Sequence, residues 1–487
     1  MRIRSDSLVL GDMGQVKSAE HNVGCVSGVS DREDQDREQL ARLGKKSVLK
    51  RNFRFLSILG FNCAILITWE GMLQSFAPGL QNGGPAGLVY GFIFVWIGNL
   101  SVFSTLCELV SIAPTSGGQY HWVAMLAPRS CSKFLSYITG WLTLGLVVFM
   151  STSYTPRTWQ GTLILWLCIL VAVLINTLVN SMLPKIEGMV LVLHIVCFFA
   201  VLITLVTLGA HGDAAHVFLE FRNTGAWPTQ ALSWFVGLLG YVFSFAGVDC
   251  SFHMCEEVEN PSVTVPKSIM ISIVINGMMG LAIIIAMLYG ATDIDRAIGS
   301  KSGYPFIEIF YQATGSMSGT AVLTSLILIM TLFAIVGVIA ATSRMFWAFA
   351  RDRGLPFWRT LSKVDPWTNV PVWAIGTTSV ISCLLGLVNI GSAVVYNALV
   401  SIAVTGLYSS ALPALANTAA GQGQTLAWGP WHVPGVFGIV NNITPTTLAT
   451  TNWSVLMTGA VVIFSVIYYL TWAKKEYKGP IMEVHRN

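Results

Sequence analysis

Two carboxylates stand in stretches that hold almost no other charge: Glu70 in FNCAILITWEGMLQSF and Asp249 in GYVFSFAGVDCSFHMCEEVENP. An ionised carboxylate at the depth of a hydrocarbon core costs a few kcal/mol, so each must face a cavity or a partner. Gly71 follows Glu70, and Gly247 precedes Asp249 by two residues. Glycine lets a helix break there, baring amides and carbonyls that can hold ions or polar ligands. The chemistry on offer is the binding of a small charged solute or a proton. The plainer alternative puts both carboxylates at an interface, where water solvates them. On that alternative Glu256, Glu257 and Glu259, which follow Asp249 closely, mark the water boundary. No nucleophile–base pair stands outside the apolar runs, which disfavours an enzyme. His121, His253 and His432 lack metal-ligand spacing, so no metal or cofactor is expected. Most of the nine cysteines, Cys63, Cys168, Cys197 and Cys383 among them, lie in apolar runs and read as small buried hydrophobes.

The elements that must position these groups are membrane helices. The 487 residues are 54% hydrophobic and 11% charged, with a mean hydropathy of +0.65. A soluble domain carries about 25% charged residues. Apolar runs fall at approximately 54–76, 86–112, 134–150, 159–179, 186–209, 230–250, 267–290, 319–347, 372–390, 393–412 and 453–472. Such lengths cross a hydrocarbon core of about 30 Å as helices. They lack the alternation of a barrel strand. The first fifty residues are polar, with no signal-peptide core, and Asp31 to Lys46 reads as a short charged helix. Net charge of +4 gives no sign of a nucleic-acid partner; the partner implied is the bilayer itself.

Lys and Arg set the orientation. Lys50, Arg51 and Arg54 precede span one, and loop 77–85 has neither residue type. Arg129, Lys133, Lys185 and Lys267 mark alternate loops, and Arg344, Arg351, Arg353, Arg359 and Lys363 cluster after span eight. The N-terminus is therefore expected in the cytosol, with loop 77–85 outside. Five spans precede loop 210–229 and five follow it, so the second block is inverted relative to the first. Inverted repeats are a recurrent transporter plan. Glu70 and Asp249 fall in the first span of each block.

Several stretches resemble the amino acid–polyamine–organocation superfamily, and within it the fungal amino acid and choline (GABA/choline-type) permeases. CELVSIAPTSGGQYHW (107–122) resembles the signature between helices two and three. FSFAGVDCSFHMCEEVENPSVTVPKSI (243–269) is similar to the sixth-helix motif, ATSRMFWAFARDRGLPF (341–357) to the loop after helix eight, and WGPWHVPG (428–435) to the approach to helix eleven. LARLGKKSVLKRNF (40–53) looks like the entry to helix one. The resemblance implies an all-α polytopic membrane protein of the five-plus-five inverted-repeat transporter fold, with about 11–12 transmembrane helices. Its parts are a cytosolic tail (1–53), a first repeat (54–209), a second inverted repeat (230–412), a C-terminal hairpin (413–472) and a cytosolic tail (473–487). Helices one and six are then discontinuous and hold the ligand between Thr68, Trp69, Glu70 and Gly71 on one side and Phe245, Ala246, Gly247 and Asp249 on the other. Phe245 becomes an aromatic lid and Trp141 on helix three a wall. Glu70 and Asp249 are the candidates for proton coupling. Arg344, Arg351 and Asp352 are candidates to lock the cytosolic mouth through inner acids such as Glu108, a solvated charged loop being the alternative.

The chain departs from that pattern in two places. Helix three is short, and 413–452 contains no clear apolar span, which leaves helix eleven degenerate or missing. If 428–441 crosses nevertheless, the acceptor pattern Asn442-Ile443-Thr444 faces outward. The binding region also bears on substrate. A carboxylate would be repelled by Glu70, whereas an ammonium would gain charge pairing and a cation–π contact with Trp69. The leading expectation is transport of an amine-bearing solute (amino acid, γ-aminobutyrate, choline, polyamine or alkaloid), with proton-coupled uptake at the plasma membrane. Export of a secondary metabolite is the alternative, and a non-transporting sensor or inactive relic is the reading from a different class.

Overall fold

A computed structural model describes residues 27–128, 130–150, 158–210, 212–300, 303–391, 430–431, 463, 465–477 and 479–480. The expected span 393–412, the doubtful stretch 413–452 apart from Pro430 and Trp431, and Asn442 lie outside the described residues. The charged tail segment folds as α1 (Ser27–Arg42). Span one divides into α2 (Phe55–Leu66) and α3 (Thr68–Gln74). There follow α4 (Phe76–Ile112), α5 (Gln119–Leu126), α6 (Ser132–Met150), α7 (Thr158–Leu178), α8 (Leu183–Leu208) and the short α9 (Ala214–Leu219). The second half holds α10 (Gln230–Phe243), α11 (Cys250–His253), α12 (Pro261–Gly290), α13 (Ile294–Ile298), α14 (Pro305–Thr314), α15 (Met317–Arg351), α16 (Trp358–Leu361) and α17 (Val372–Gly391). A π-helical turn, Tyr469–Ala473, ends the last expected span and runs one residue past it.

Among the described residues no β-strand forms, and six helices are long and apolar enough to cross a membrane. They are Phe55–Gln74, Phe76–Ile112, Gly161–Leu178, Asn180–Leu208, Pro261–Gly290 and Met317–Arg351, with Gln230–Ser244 and Val372–Leu387 as shorter apolar helices. Helices prevail because hydrocarbon offers no partner for a bare amide or carbonyl.

Two boundaries differ from expectation. Residues 77–85, expected as a loop, are helical and form the first turns of α4. The chain kinks at Gly84, whose φ of 71° is cheap only for glycine, and Pro85 then starts the second stretch with its ring angle already helical. The polar NGG sequence marks the kink rather than a loop. Span six, expected to run through residue 250, ends as α10 at Phe243 and turns through 244–249. Gly247 sits there at φ 105°, a conformation that stops helix propagation.

The core is assembled around α2, α4, α8, α12 and α15. α4 packs along both α10 and α12, while α2 lies between α8 and α12. A second aromatic cluster joins Tyr120, Tyr137, Phe349, Tyr469 and Tyr477, tying α5 and α6 to α15 and the last helical segment.

Candidate functional site

The break in helix one is set by one residue. Ile67 adopts the left-handed conformation (φ 36°, ψ 39°) and separates α2 from α3. A β-branched side chain disfavours that region, at a cost on the order of 1–3 kcal/mol. Such strain persists only where packing enforces it, and it clusters at binding sites. Downstream, Thr68, Trp69 and Glu70 are fully buried, and Gly71 faces helix six, where an added Cβ would stand 3.6 Å from Ser244 Cα. Phe53, just before α2, pairs in a parallel bridge with Val258 beyond α11. Its amide donates to the Glu257 carbonyl at 3.0 Å, and its carbonyl accepts from Glu259 N–H at 2.9 Å. The two broken helices therefore touch at their breaks and again at the tail-side end.

Glu70 turns toward α8. Its Oε1 lies 3.0 Å from His194 Nδ1, and both side chains are wholly buried. The approach is not an aligned hydrogen bond: neither Glu70 oxygen and neither His194 ring nitrogen finds a hydrogen-bond partner among the described residues. The Trp69 ring lies 5.9 Å from the His194 ring and 6.0 Å from Phe198. Trp69 Nε1 is likewise unpartnered. One turn from the start of α8, Glu187 is a second fully buried carboxylate without a hydrogen bond among the described residues.

On helix six, Phe245 is fully buried against Phe92, with ring centroids 5.4 Å apart, and Ala246 is 2% exposed. Asp249 Oδ2 accepts a long 3.4 Å hydrogen bond from Gln119 Nε2, at the start of α5. Asp249 thus looks toward the Gly117-Gly118 turn and not toward Glu70's partner. His253 donates from Nδ1 to the Ser116 carbonyl of the same turn at 3.0 Å. Trp141 lies in the second aromatic cluster, against Tyr137, Phe349 and Tyr468.

A lattice of buried charges closes the tail-side end. Arg351 makes a two-pronged contact with Glu256 at 2.8 and 3.1 Å, and Glu256 also accepts from Ser116 N–H at 3.2 Å. Arg344 donates from Nε to Glu257 at 2.7 Å and from Nη2 to Asn180 at 2.9 Å. Lys45, from the segment after α1, pairs with Asp352, which accepts from the Tyr120 hydroxyl at 2.9 Å. Arg344, Arg351 and Asp352 thus occupy an ion-pair lattice instead of a solvated loop. Its acids include Glu256 and Glu257, and Glu108 is also buried nearby in sequence to that turn.

Sequence reasoning passed over His194, Glu187 and Ile67. The first two carried the signal that exposed Glu70: a titratable residue in an apolar run, here LPKIEGMVLVLHIVCFF. Ile67 carried none, since glycine or asparagine is the expected residue at positive φ.

Comparison with known proteins agrees with this architecture. The family model described as amino acid permease matches residues 53–416. A putative amino acid/polyamine transporter of Macrophomina phaseolina is 30% identical over 410 residues, covering 79% of this chain and 90% of that protein. A choline transporter of Saccharomyces cerevisiae is 29% identical, covering 88% and 83%. An amino-acid permease of Arabidopsis thaliana is 27% identical, covering 93% and 97%. The match spans the broken helices, the buried carboxylates and every member of the charged closure except Lys45, and the chain belongs to the amino acid permease family of polytopic membrane transporters.

Proposed function

We propose that this transporter carries small amine-bearing solutes by alternating access, binding them where helices one and six break. The observation that carries the reading is Glu70, a wholly buried carboxylate beside the Ile67 break and the Trp69 ring. An ammonium group supplies the positive charge that such a carboxylate needs, and an indole face adds cation–π attraction of about 0.5–2 kcal/mol. The names of two relatives, an amino acid/polyamine transporter and a choline transporter, fit a cationic nitrogen as the common feature. Thr68, Gly71, Phe245, Ala246 and Gly247 supply the walls and the bared backbone. Trp141 joins them only if helix three rotates inward. Asp249 acts as a relay between this site and the turn at Gln119, and protons are the coupling ion. The tail-side lattice is the cytosolic gate, held shut here, with the N-terminal tail in the cytosol and the protein in the plasma membrane.

The test is uptake and efflux by cells expressing the chain, screened across amines and amino acids. Saturable movement of amines that Glu70→Gln removes, at unchanged surface abundance, is the expected result. Transport confined to anions or neutral solutes would end the amine reading.

A further inference from the structure

We infer that Glu70 and His194 together carry one proton, and that an amine cation displaces it, so that amine and proton are exchanged at a single site. This rests on the reading that Glu70 receives the amine. The pair is built from two elements: Glu70 on α3, freed by the Ile67 break, and His194 from the middle of α8. Their facing atoms stand 3.0 Å apart, and no exposed surface remains on either side chain.

Burial decides the charge. Two acid–base groups in an apolar setting are stable when their sum is neutral, because an isolated buried charge costs several kcal/mol. The pair is neutral with one proton, as carboxylate and imidazolium or as carboxylic acid and imidazole. Glu187, seven residues before His194 on α8, is a further buried carboxylate, and it leaves that count unchanged when it keeps its own proton. From α2 comes Cys63 and from α8 comes Cys197; both lie within electrostatic reach of Glu70. On α14, Glu308 is already paired with Arg296 at 2.8 Å. Tyr241 of α10 packs against Gly79 and Gly91 of α4, and Arg344 of α15 is held by Glu257. Among the described residues, the nearby guanidinium groups of Arg296 and Arg344 are thus taken up by Glu308 and Glu257.

An arriving ammonium or quaternary amine brings one positive charge. Neutrality is kept when Glu70 stays a carboxylate facing the amine, His194 becomes neutral, and the displaced proton leaves to the water on the side where the site is open. One positive charge enters and one departs; no bond to carbon forms or breaks. Return of the empty site requires the proton to rebind. The cycle is an electroneutral exchange, and an acidic outside drives the amine out of the cell.

The experiment uses the purified full chain in lipid vesicles with choline as the probe. Choline is permanently charged, so trapping of a neutral base cannot mimic transport. Vesicles acidic inside should accumulate choline, vesicles acidic outside should not, and a potassium-diffusion potential alone should drive nothing. The apparent KM for choline should rise roughly tenfold per unit of external acidification once one proton competes. His194→Gln should still transport while moving the pH range of that competition. Accumulation driven by acid outside, a KM flat from about pH 5 to about pH 8, or a His194→Gln profile that superimposes on wild type would each overturn the exchange. Wild-type choline transport in Glu70→Gln would instead overturn the amine reading on which it rests. Should His194→Gln fail to fold, choline-evoked proton release by the wild-type protein in detergent still decides: one proton per choline is expected, and none overturns the inference.

Discussion

Arg351 grips Glu256 with both guanidinium nitrogens, Nη2 to Oε1 at 2.8 Å and Nη1 to Oε2 at 3.1 Å. The planar fork matches the carboxylate geometry, which makes this the strong form of an ion pair. It joins the end of α15 to the segment between α11 and α12. The same carboxylate accepts Ser116 N–H, so it also holds the turn that follows α4. One carboxylate thus ties three elements together, and the proposed gate must release it to open.

Removing one partner leaves the other charge buried, which costs about 3–5 kcal/mol. Glu256→Gln should therefore bias the transporter toward the state open at the tail side. Cys255, fully buried next to Glu256, reports that opening. In a chain keeping only this cysteine, maleimide labelling should rise about tenfold for each ~1.4 kcal/mol of bias. An unchanged labelling rate would mean that the lattice is static packing and not a gate.

Glu70→Gln keeps the shape of the side chain and removes its charge. Choline transport should fall by at least about a hundredfold, since a lost buried charge pair is worth ~3 kcal/mol or more. Surface abundance and elution from a sizing column should match wild type. Wild-type rates would place Glu70 as a bystander.

Much of this site was legible because charge inside apolar sequence is conspicuous. Glu70, Asp249 and Gly247 stood out for that reason, and so did the Arg344, Arg351 and Asp352 group. What escaped notice depends on distance along the chain. His194 is 124 positions from Glu70 (194 minus 70), and a lone histidine in an apolar run reads as core until a partner is seen. Lys45 and Asp352 are 307 positions apart. Ile67 escaped for the opposite reason: its residue type argues against the conformation that packing imposes. The helical start of α4 was misjudged because NGG is turn-like locally, while the Gly84 kink absorbs the turn within a helix.

At Gly247 the backbone conformation, not the space, limits substitution. With φ at 105°, any side chain is strained there, and leucine more than alanine. Gly247→Ala should cost on the order of 1–3 kcal/mol, seen as a lowered melting temperature with residual transport. Gly247→Leu should abolish transport or raise KM at least about tenfold. Unaltered concentration dependence in the leucine variant would mean that ligand does not approach helix six at this turn.

Lys45 and Asp352 test whether the tail segment is part of the closure. Both side chains are 1% exposed, and Asp352 also holds the Tyr120 hydroxyl. Lys45→Met leaves the buried Asp352 carboxylate without its lysine, and Asp352→Leu leaves the Lys45 ammonium buried without that carboxylate. Each should lower the melting temperature of the detergent-solubilised protein, by an amount reflecting about 3–5 kcal/mol. The double variant removes both charges and should recover much of that loss, leaving chiefly the unpaired Tyr120 hydroxyl, worth ~1–3 kcal/mol. Tyr120→Phe added to the double variant should restore a further part. If the double variant melts no higher than the worse single variant, the two side chains do not interact as a pair, and the segment after α1 has no share in the gate.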